Sequence, residues 1–198
     1  MINPPSDSAP VADAEAVLVK RARDGDLDAF NSLVDLHQRV AYNLCYRMLG
    51  SAAAAEDATQ DAFLSAYRNI ARFTGTSFRA WLMRIASNGC TDELRRRHRR
   101  PAISLDAPSP VTDDPMQIPD PASGPDVEAL RSEQQAIVQA ALLRLPADQR
   151  TAVVMCDMQG FAYEEIAESM RTSIGTVKSR IARGREKLRR ELGPGLEQ

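Results

Sequence analysis

The chain reads as an all-α protein of two small helical domains joined by a flexible, proline-rich acidic linker, and three observations predict this. Apolar residues make up 43% of its 198 residues but aromatics only 5%, and the remainder leans on Ala, Leu, Arg, Asp and Glu, a mixture that favours helices over sheets. The apolar residues recur at steps of three and four along both halves of the chain, the period of a helix with one buried face. Between the halves, residues 101–126 hold seven of the twelve prolines, several acids and little that could be buried, so this stretch reads as a tether and not as a fold.

Taken in order, residues 1–12 are Pro- and Ser-rich and are expected to be disordered. The first domain, residues 13–100, opens with a short helix from Ala16 to Arg23 that stops near Gly25. Asp26 is placed to cap a second helix, in which Phe30, Leu33, Val34, Leu36, Val40, Leu44 and Met48 recur at helical spacing until Gly50. A third helix, Ala54 to Arg72, carries Phe63, Leu64, Tyr67 and Ile70 on one side. Thr74 to Ser77 form a loop whose last residue caps a fourth helix, Phe78 to Arg97. After the linker the second domain, residues 127–192, resumes with Leu130, Ile137, Val138, Ala141 and Leu142 on one helix ending before Pro146. Asp148 to Met158 gives another, stopped by Gly160, and residues 193–198 form a tail.

Net charge is −2, but it is unevenly divided: +2 over residues 1–100, −6 over 101–143 and +2 over 144–198. Within the outer segments Arg95, Arg96, Arg97, Arg99 and Arg100 cluster, as do Lys178, Arg180, Arg183, Arg185, Lys187, Arg189 and Arg190. A basic cluster alone is an ordinary solvated helix face; two of them, each closing a predicted helix, point to phosphate contact. No apolar run reaches the roughly 20 residues of a membrane span, and no basic start precedes an apolar stretch, so membrane insertion is not expected and a cytoplasmic location is. Cys45, Cys90 and Cys156 lie far apart, in no zinc-ligand spacing and in odd number, and His37 and His98 are isolated; no metal, cofactor or disulfide framework is expected.

Gly160 to Arg190 carries the sharpest signal: a short amphipathic helix, a tight turn and a longer basic helix, the layout of a helix-turn-helix that enters a DNA major groove. Tyr163, Ile166, Ala167 and Met170 point one way on the first helix, and Ile174, Val177, Ile181 and Leu188 form the inner stripe of the second. At 100° per residue Thr176, Ser179, Ala182, Arg183 and Glu186 then face outward, flanked by Lys178, Arg180 and Arg185, small polar and basic groups that can donate to phosphates and base edges. An antiparallel helix pair with a basic solvent side is the plainer alternative, which the run G-T-V-K-S-R-I-x-R-x-R-x-x-L makes the weaker one.

This run closely resembles the second DNA-binding domain of the extracytoplasmic-function (ECF) sigma factors, the specificity subunits of bacterial RNA polymerase. The resemblance covers both domains. Leu145-Pro146-Ala147-Asp148-Gln149-Arg150 is similar to the L-P-x-x-x-R segment that opens this region in the family, Ala55 to Phe63 (AEDATQDAF) to its polymerase-binding helix, and Trp81 to Asn88 followed by Asp92 and Arg95 to its minus-10 reading helix. By resemblance, Thr176, Lys178, Ser179, Arg180, Ala182, Arg183 and Arg185 are expected to read the minus-35 promoter element as duplex. The stripe Asp57, Gln60, Asp61 and Leu64 reads by spacing alone as a solvated helix face, and the resemblance reverses this, implying that it docks on the clamp helices of the polymerase's largest subunit.

Around the first loop, Phe73, Phe78 and Trp81 stand beside Arg72, Arg79, Arg84, Asn88 and the arginine cluster. Aromatics beside cations can stack an unpaired base while the cations hold its backbone. The resemblance implies the same use, with Arg72, Phe73, Phe78, Arg84, Asn88, Asp92, Arg95 and Arg96 as minus-10 contacts; Trp81 is read as core. It further implies a linker that follows the basic RNA path of the polymerase, an anti-sigma factor as partner, and no catalytic activity. Asp57 and Asp61 as paired carboxylates of an enzyme lack the further acids or His that such chemistry needs. The alternative from another class is a dimeric helix-turn-helix regulator with a ligand-sensing N-terminal domain. The chain departs from the family pattern at Gly89, in mid-helix, at Met170 to Ile174, which replace the commoner leucine-glycine turn, and at Ala182, a bare methyl on the reading face.

Overall fold

The computed structural model describes residues 9–75, 77–99 and 125–193, and among them there is no strand. Eight α-helices follow in order: α1 (Ala9–Arg23), α2 (Leu27–Leu49), α3 (Ala52–Asn69), α4 (Phe78–Arg99), α5 (Pro125–Leu143), α6 (Ala147–Val153), α7 (Tyr163–Met170) and α8 (Ile174–Leu192). A 3-10 turn (Ile70–Arg72) closes α3, and a π turn (Val154–Met158) closes α6. The segment expected to form one helix over 148–158 therefore breaks at Val154, where the backbone widens before the left-handed Gly160. Helix α1 starts seven residues earlier than its periodicity predicts, α4 runs two residues further, and α5 opens at Pro125. Apart from Pro125 and Asp126, the linker lies outside the described residues.

Local chemistry sets the boundaries. Asp26 accepts from the Ala29 amide at 3.0 Å and starts α2, and Ser51 does the same for Ala54 at the head of α3. Ser77 caps α4 through the Ala80 amide at 3.1 Å. Gly50, at φ +70°, ends α2 with its amide on the Tyr46 carbonyl at 2.8 Å. A side chain there would also collide with Leu143, since a Cβ would stand 2.5 Å from its Cδ1.

Helices α1 to α4 bury Phe30, Leu33, Leu44, Met48, Phe63, Phe78, Leu82 and Met83 between them. Helices α5 to α8 bury Leu142, Val153, Met155, Ile166, Val177 and Ile181. The two groups do not stand apart: α4 packs on α7, and α2 packs on α5 and α6, so one apolar cluster runs through both. The stripes are narrower than their periodicity suggests. Leu36 on α2, Leu64 and Tyr67 on α3 and Ile137 on α5 are exposed, not core. Among the described residues no helix is long and apolar enough to cross a membrane, and no group of three or more His, Cys, Asp or Glu could hold a metal ion.

Candidate nucleic-acid interface

The helix-turn-helix is built from α7 and α8. Glu165 reaches back to the Ala162 amide at 2.9 Å and fixes the start of α7. Arg171 then takes φ +48°, the left-handed conformation that glycine usually supplies at a helix C-terminus, while the Thr172 amide closes onto the Ala167 carbonyl at 3.0 Å. The departure from a leucine-glycine turn is thus tolerated in geometry, at a backbone cost of about 1–2 kcal/mol. Ser173 accepts from the Thr176 amide at 3.2 Å and caps α8.

Val177 and Ile181 are buried beneath α8 as expected, Ile174 is more exposed, and Leu188 is partly buried. Gly184 completes the inner side, a residue the periodicity overlooks because glycine carries no apolar signal. A Cβ there would stand 2.6 Å from Val153 Cγ2, so α8 lies against α6 with no room for a side chain. On the outer side Lys178, Ser179, Ala182 and Arg183 are exposed together, with Thr176 half-buried at the head of the helix.

Two of the arginines expected on that face are otherwise engaged. Arg185 binds Asp157 through two bonds, Nε to Oδ2 at 3.0 Å and Nη2 to Oδ1, and this carboxylate raises its pKa further. Arg180 pairs with Asp148 at 2.9 Å. Both brace α8 against the α6 segment, and among the described residues the cations of the reading face without an ion pair are Lys178 and Arg183.

The first loop corrects its sequence reading more strongly. Phe73 is 6% and Phe78 1% exposed, and their rings meet edge-on at 6.1 Å between centroids. Trp81, half-buried, lies 5.0 Å from Phe73 and 5.6 Å from Phe78. In this arrangement Phe73 and Phe78 are core residues that hold the loop and offer no ring face to an unpaired base. Arg72 stays exposed beside them. Arg84 is half-buried under the end of α7, where burial first and then the Arg171 cation push its guanidinium pKa down.

Further along α4, Asn88 and Asp92 are exposed, and Arg95 pairs with Asp92 at 3.2 Å. Arg96 and Arg97 both bind Glu93, whose carboxyl they hold below its ordinary range. Asn88 and Asp92 face Asp57, Gln60 and Asp61 of α3 across an open groove of about 1040 Å³. Three of the expected minus-10 residues, Asn88, Asp92 and Arg96, and three of the expected polymerase residues, Asp57, Gln60 and Asp61, therefore line one groove, while Arg72, Phe73, Phe78, Arg84 and Arg95 lie outside it. Leu64, 51% exposed, turns instead toward an apolar groove between α2 and α3, shared with Leu27, Phe30, Val34, Phe63 and Tyr67. Gly89 meets nothing within 4 Å on its open side, so α4 keeps a bare stretch of backbone in the larger groove. Cys45 and Cys90 are both fully buried and hydrogen bond to each other, which together with burial pushes the Cys90 thiol far up; this pair belongs to the core.

Residues 33–100 match the family model of sigma-70 region 2, and residues 135–188 match that of sigma-70 region 4. The chain is 39% identical to the ECF RNA polymerase sigma factor SigW of Bacillus subtilis over 88% of its own length and 94% of that protein's. The chain belongs to the ECF sigma factors. It is also 37% identical to the ECF RNA polymerase sigma-E factor of Escherichia coli, over 91% of this chain and 95% of that one. Among solved structures it resembles CnrH in complex with the cytosolic domain of CnrY, at TM-score 0.65 and 26% identity, covering 90% of this chain and 97% of that one. It resembles equally the sigma factor RpoE bound to the anti-sigma factor NepR from Bartonella quintana, at TM-score 0.66 and 25% identity, over 87% of this chain and all of the other. In this ECF sigma factor region 2 takes in most of α2 with α3 and α4, and region 4 runs from α5 into α8.

Proposed function

We propose that this ECF sigma factor directs RNA polymerase to promoters, reading a minus-10 element with region 2 and a minus-35 element with region 4. The observation that carries the reading is α8. Its inner side is buried down to a glycine contact, its start is capped, and it leaves Lys178, Ser179, Ala182 and Arg183 exposed on one face. Such a face fits a major groove, with the cations on phosphates and the hydroxyl and methyl against base edges. On region 2, Asp57, Gln60 and Asp61 dock on the polymerase, and Asn88, Asp92 and the exposed arginines of α4 meet the opened minus-10 strand across the same groove. Phe73 and Phe78 shape the loop beside that strand. The chemistry of RNA synthesis belongs to the polymerase, in the cytoplasm, and an anti-sigma factor governs access; the similar sigma factor RpoE of Bartonella quintana is solved in complex with the anti-sigma factor NepR.

Transcription in vitro tests this. The purified chain with core polymerase is expected to start promoter-specific RNA on templates from its own genome, and a failure to start any defined transcript removes the proposal.

A further inference from the structure

Helix α1 lies outside the match to region 2, which begins at residue 33, yet it packs on the parts of region 2 that frame the first loop. It lies along α2 and against the 3-10 turn Ile70–Arg72, which leads into that loop. Its contact with the far end of the loop runs through Glu15. The Glu15 carboxylate stands 3.2 Å from His37 Nε2 on α2, and only 7% of the histidine side chain is exposed. Nε2 has no other polar partner among the described residues, so Glu15 is what compensates its burial. The Arg79 amide, in the first turn of α4, turns toward the same carboxylate. His37 first, and then the amide and charge of Arg79, hold the Glu15 carboxyl below its ordinary range against the burial that pushes it up.

The first amides of a helix have no partner within it and form its positive end, where a carboxylate is favoured. Ser77 takes the Ala80 amide at 3.1 Å, and Glu15 brings its charge to the same end from another helix. The His37 ring also lies 5.5 Å from Phe78, which packs on Phe73 and Trp81. The turn before the loop, the rings that hold it and the head of α4 therefore all rest on α1 or on a residue that Glu15 touches. Asn88 and Asp92 follow Arg79 by nine and thirteen residues, about 14 and 20 Å along a stiff helix at roughly 1.5 Å per residue. A change of about 5° in the direction of α4 at its head displaces them by about 1–2 Å, enough to break a hydrogen bond to a base edge.

We propose that Glu15 is a positioning residue for minus-10 recognition: from α1 it sets the direction in which α4 leaves the loop, and so where Asn88 and Asp92 meet the opened strand. Glu15 itself makes no contact with DNA. The inference rests on the promoter-reading function proposed above, and its test separates the two.

Two measurements decide it: the affinity of the holoenzyme for a single-stranded oligonucleotide carrying the minus-10 sequence of one of its own promoters, and the affinity of the chain for core polymerase. Glu15→Ala is expected to weaken strand binding at least tenfold and to leave core binding within twofold, at unchanged helicity. Glu15→Gln keeps an oxygen before both donors but not the charge, and is expected to weaken strand binding about threefold. Strand binding by Glu15→Ala equal to that of the wild type overturns the proposal. So does a parallel loss of strand and core binding, which marks Glu15 as a group that only holds the fold. Should Glu15→Ala lose helicity, Glu15→Gln decides alone, and an affinity for the strand equal to the wild type's overturns the proposal. A wild-type holoenzyme that starts defined transcripts while Glu15→Ala binds the strand normally leaves promoter reading intact and removes only the positioning role.

Discussion

Arg185 and Lys178 sit on the same basic helix, yet the structure assigns them different work, and substituting each by Ala separates the two. Arg185→Ala removes both bonds to Asp157. The arginine is 48% and the aspartate 32% exposed, so solvent screens the pair. A pair of this exposure contributes about 0.5–1 kcal/mol, which lowers the melting temperature of a chain of this size by about 1–4 °C. Lys178→Ala removes an exposed cation without an ion pair among the described residues, and thermal stability is expected to stay within a degree or so. The order reverses in promoter binding. Holoenzyme affinity for a duplex-containing promoter is measured at several salt concentrations, and Lys178→Ala is expected to flatten the slope of log affinity against log salt by about 0.9. Arg185→Ala is expected to leave that slope alone. If Arg185→Ala instead keeps its melting temperature and flattens the slope as Lys178→Ala does, Arg185 is a phosphate contact and its bond to Asp157 does not persist in the bound state.

Three further outcomes follow from single positions. Arg171→Gly is expected to raise stability by about 0.5–1 kcal/mol in urea unfolding, because the relief of a left-handed L-residue outweighs the entropy glycine adds to the unfolded chain. Gly184→Val is expected to cost about 1–3 kcal/mol by the same measurement, since it drives a branched side chain into Val153 where α8 meets α6. Asp61→Lys reverses an exposed charge on the α3 wall of the groove and is expected to weaken core polymerase binding at least tenfold in a pull-down, with an unchanged circular dichroism spectrum.

Local chemistry was readable from residues alone. Asp26, Ser77 and Ser173 each start a helix because a short side-chain oxygen satisfies an amide two or three residues on, and Gly50 ends one because it accepts a positive φ. The inner stripe of α8 was equally legible at Val177 and Ile181. Periodicity was less reliable about depth. It places Phe63 and Leu64 on the same side of α3, yet Phe63 is buried and Leu64 lines an open groove, since adjacent residues lie 100° apart and the bundle covers only part of the stripe.

What escaped the sequence shares one cause: it depends on which element lies opposite. Phe73 and Phe78 beside Arg72 and Arg79 have the same pattern whether the rings point to solvent or to the core, and only the seat of Trp81 against both decides it. Arg180 and Arg185 look like Lys178 and Arg183, which have no ion pair among the described residues, until Asp148 and Asp157, some thirty residues earlier, are brought across from the α6 segment. The contact between the regions is the furthest case. Its donors include Gln139, Arg150, Gln159 and Arg79, residue types that a hydrophobic pattern assigns to solvent, and their acceptors are backbone carbonyls, which every residue carries. The apolar residues that meet there, Leu143 over Gly50 and Phe161 under Arg79, carry the same signal as the core of their own region, so no hydrophobic pattern reveals that they cross between regions.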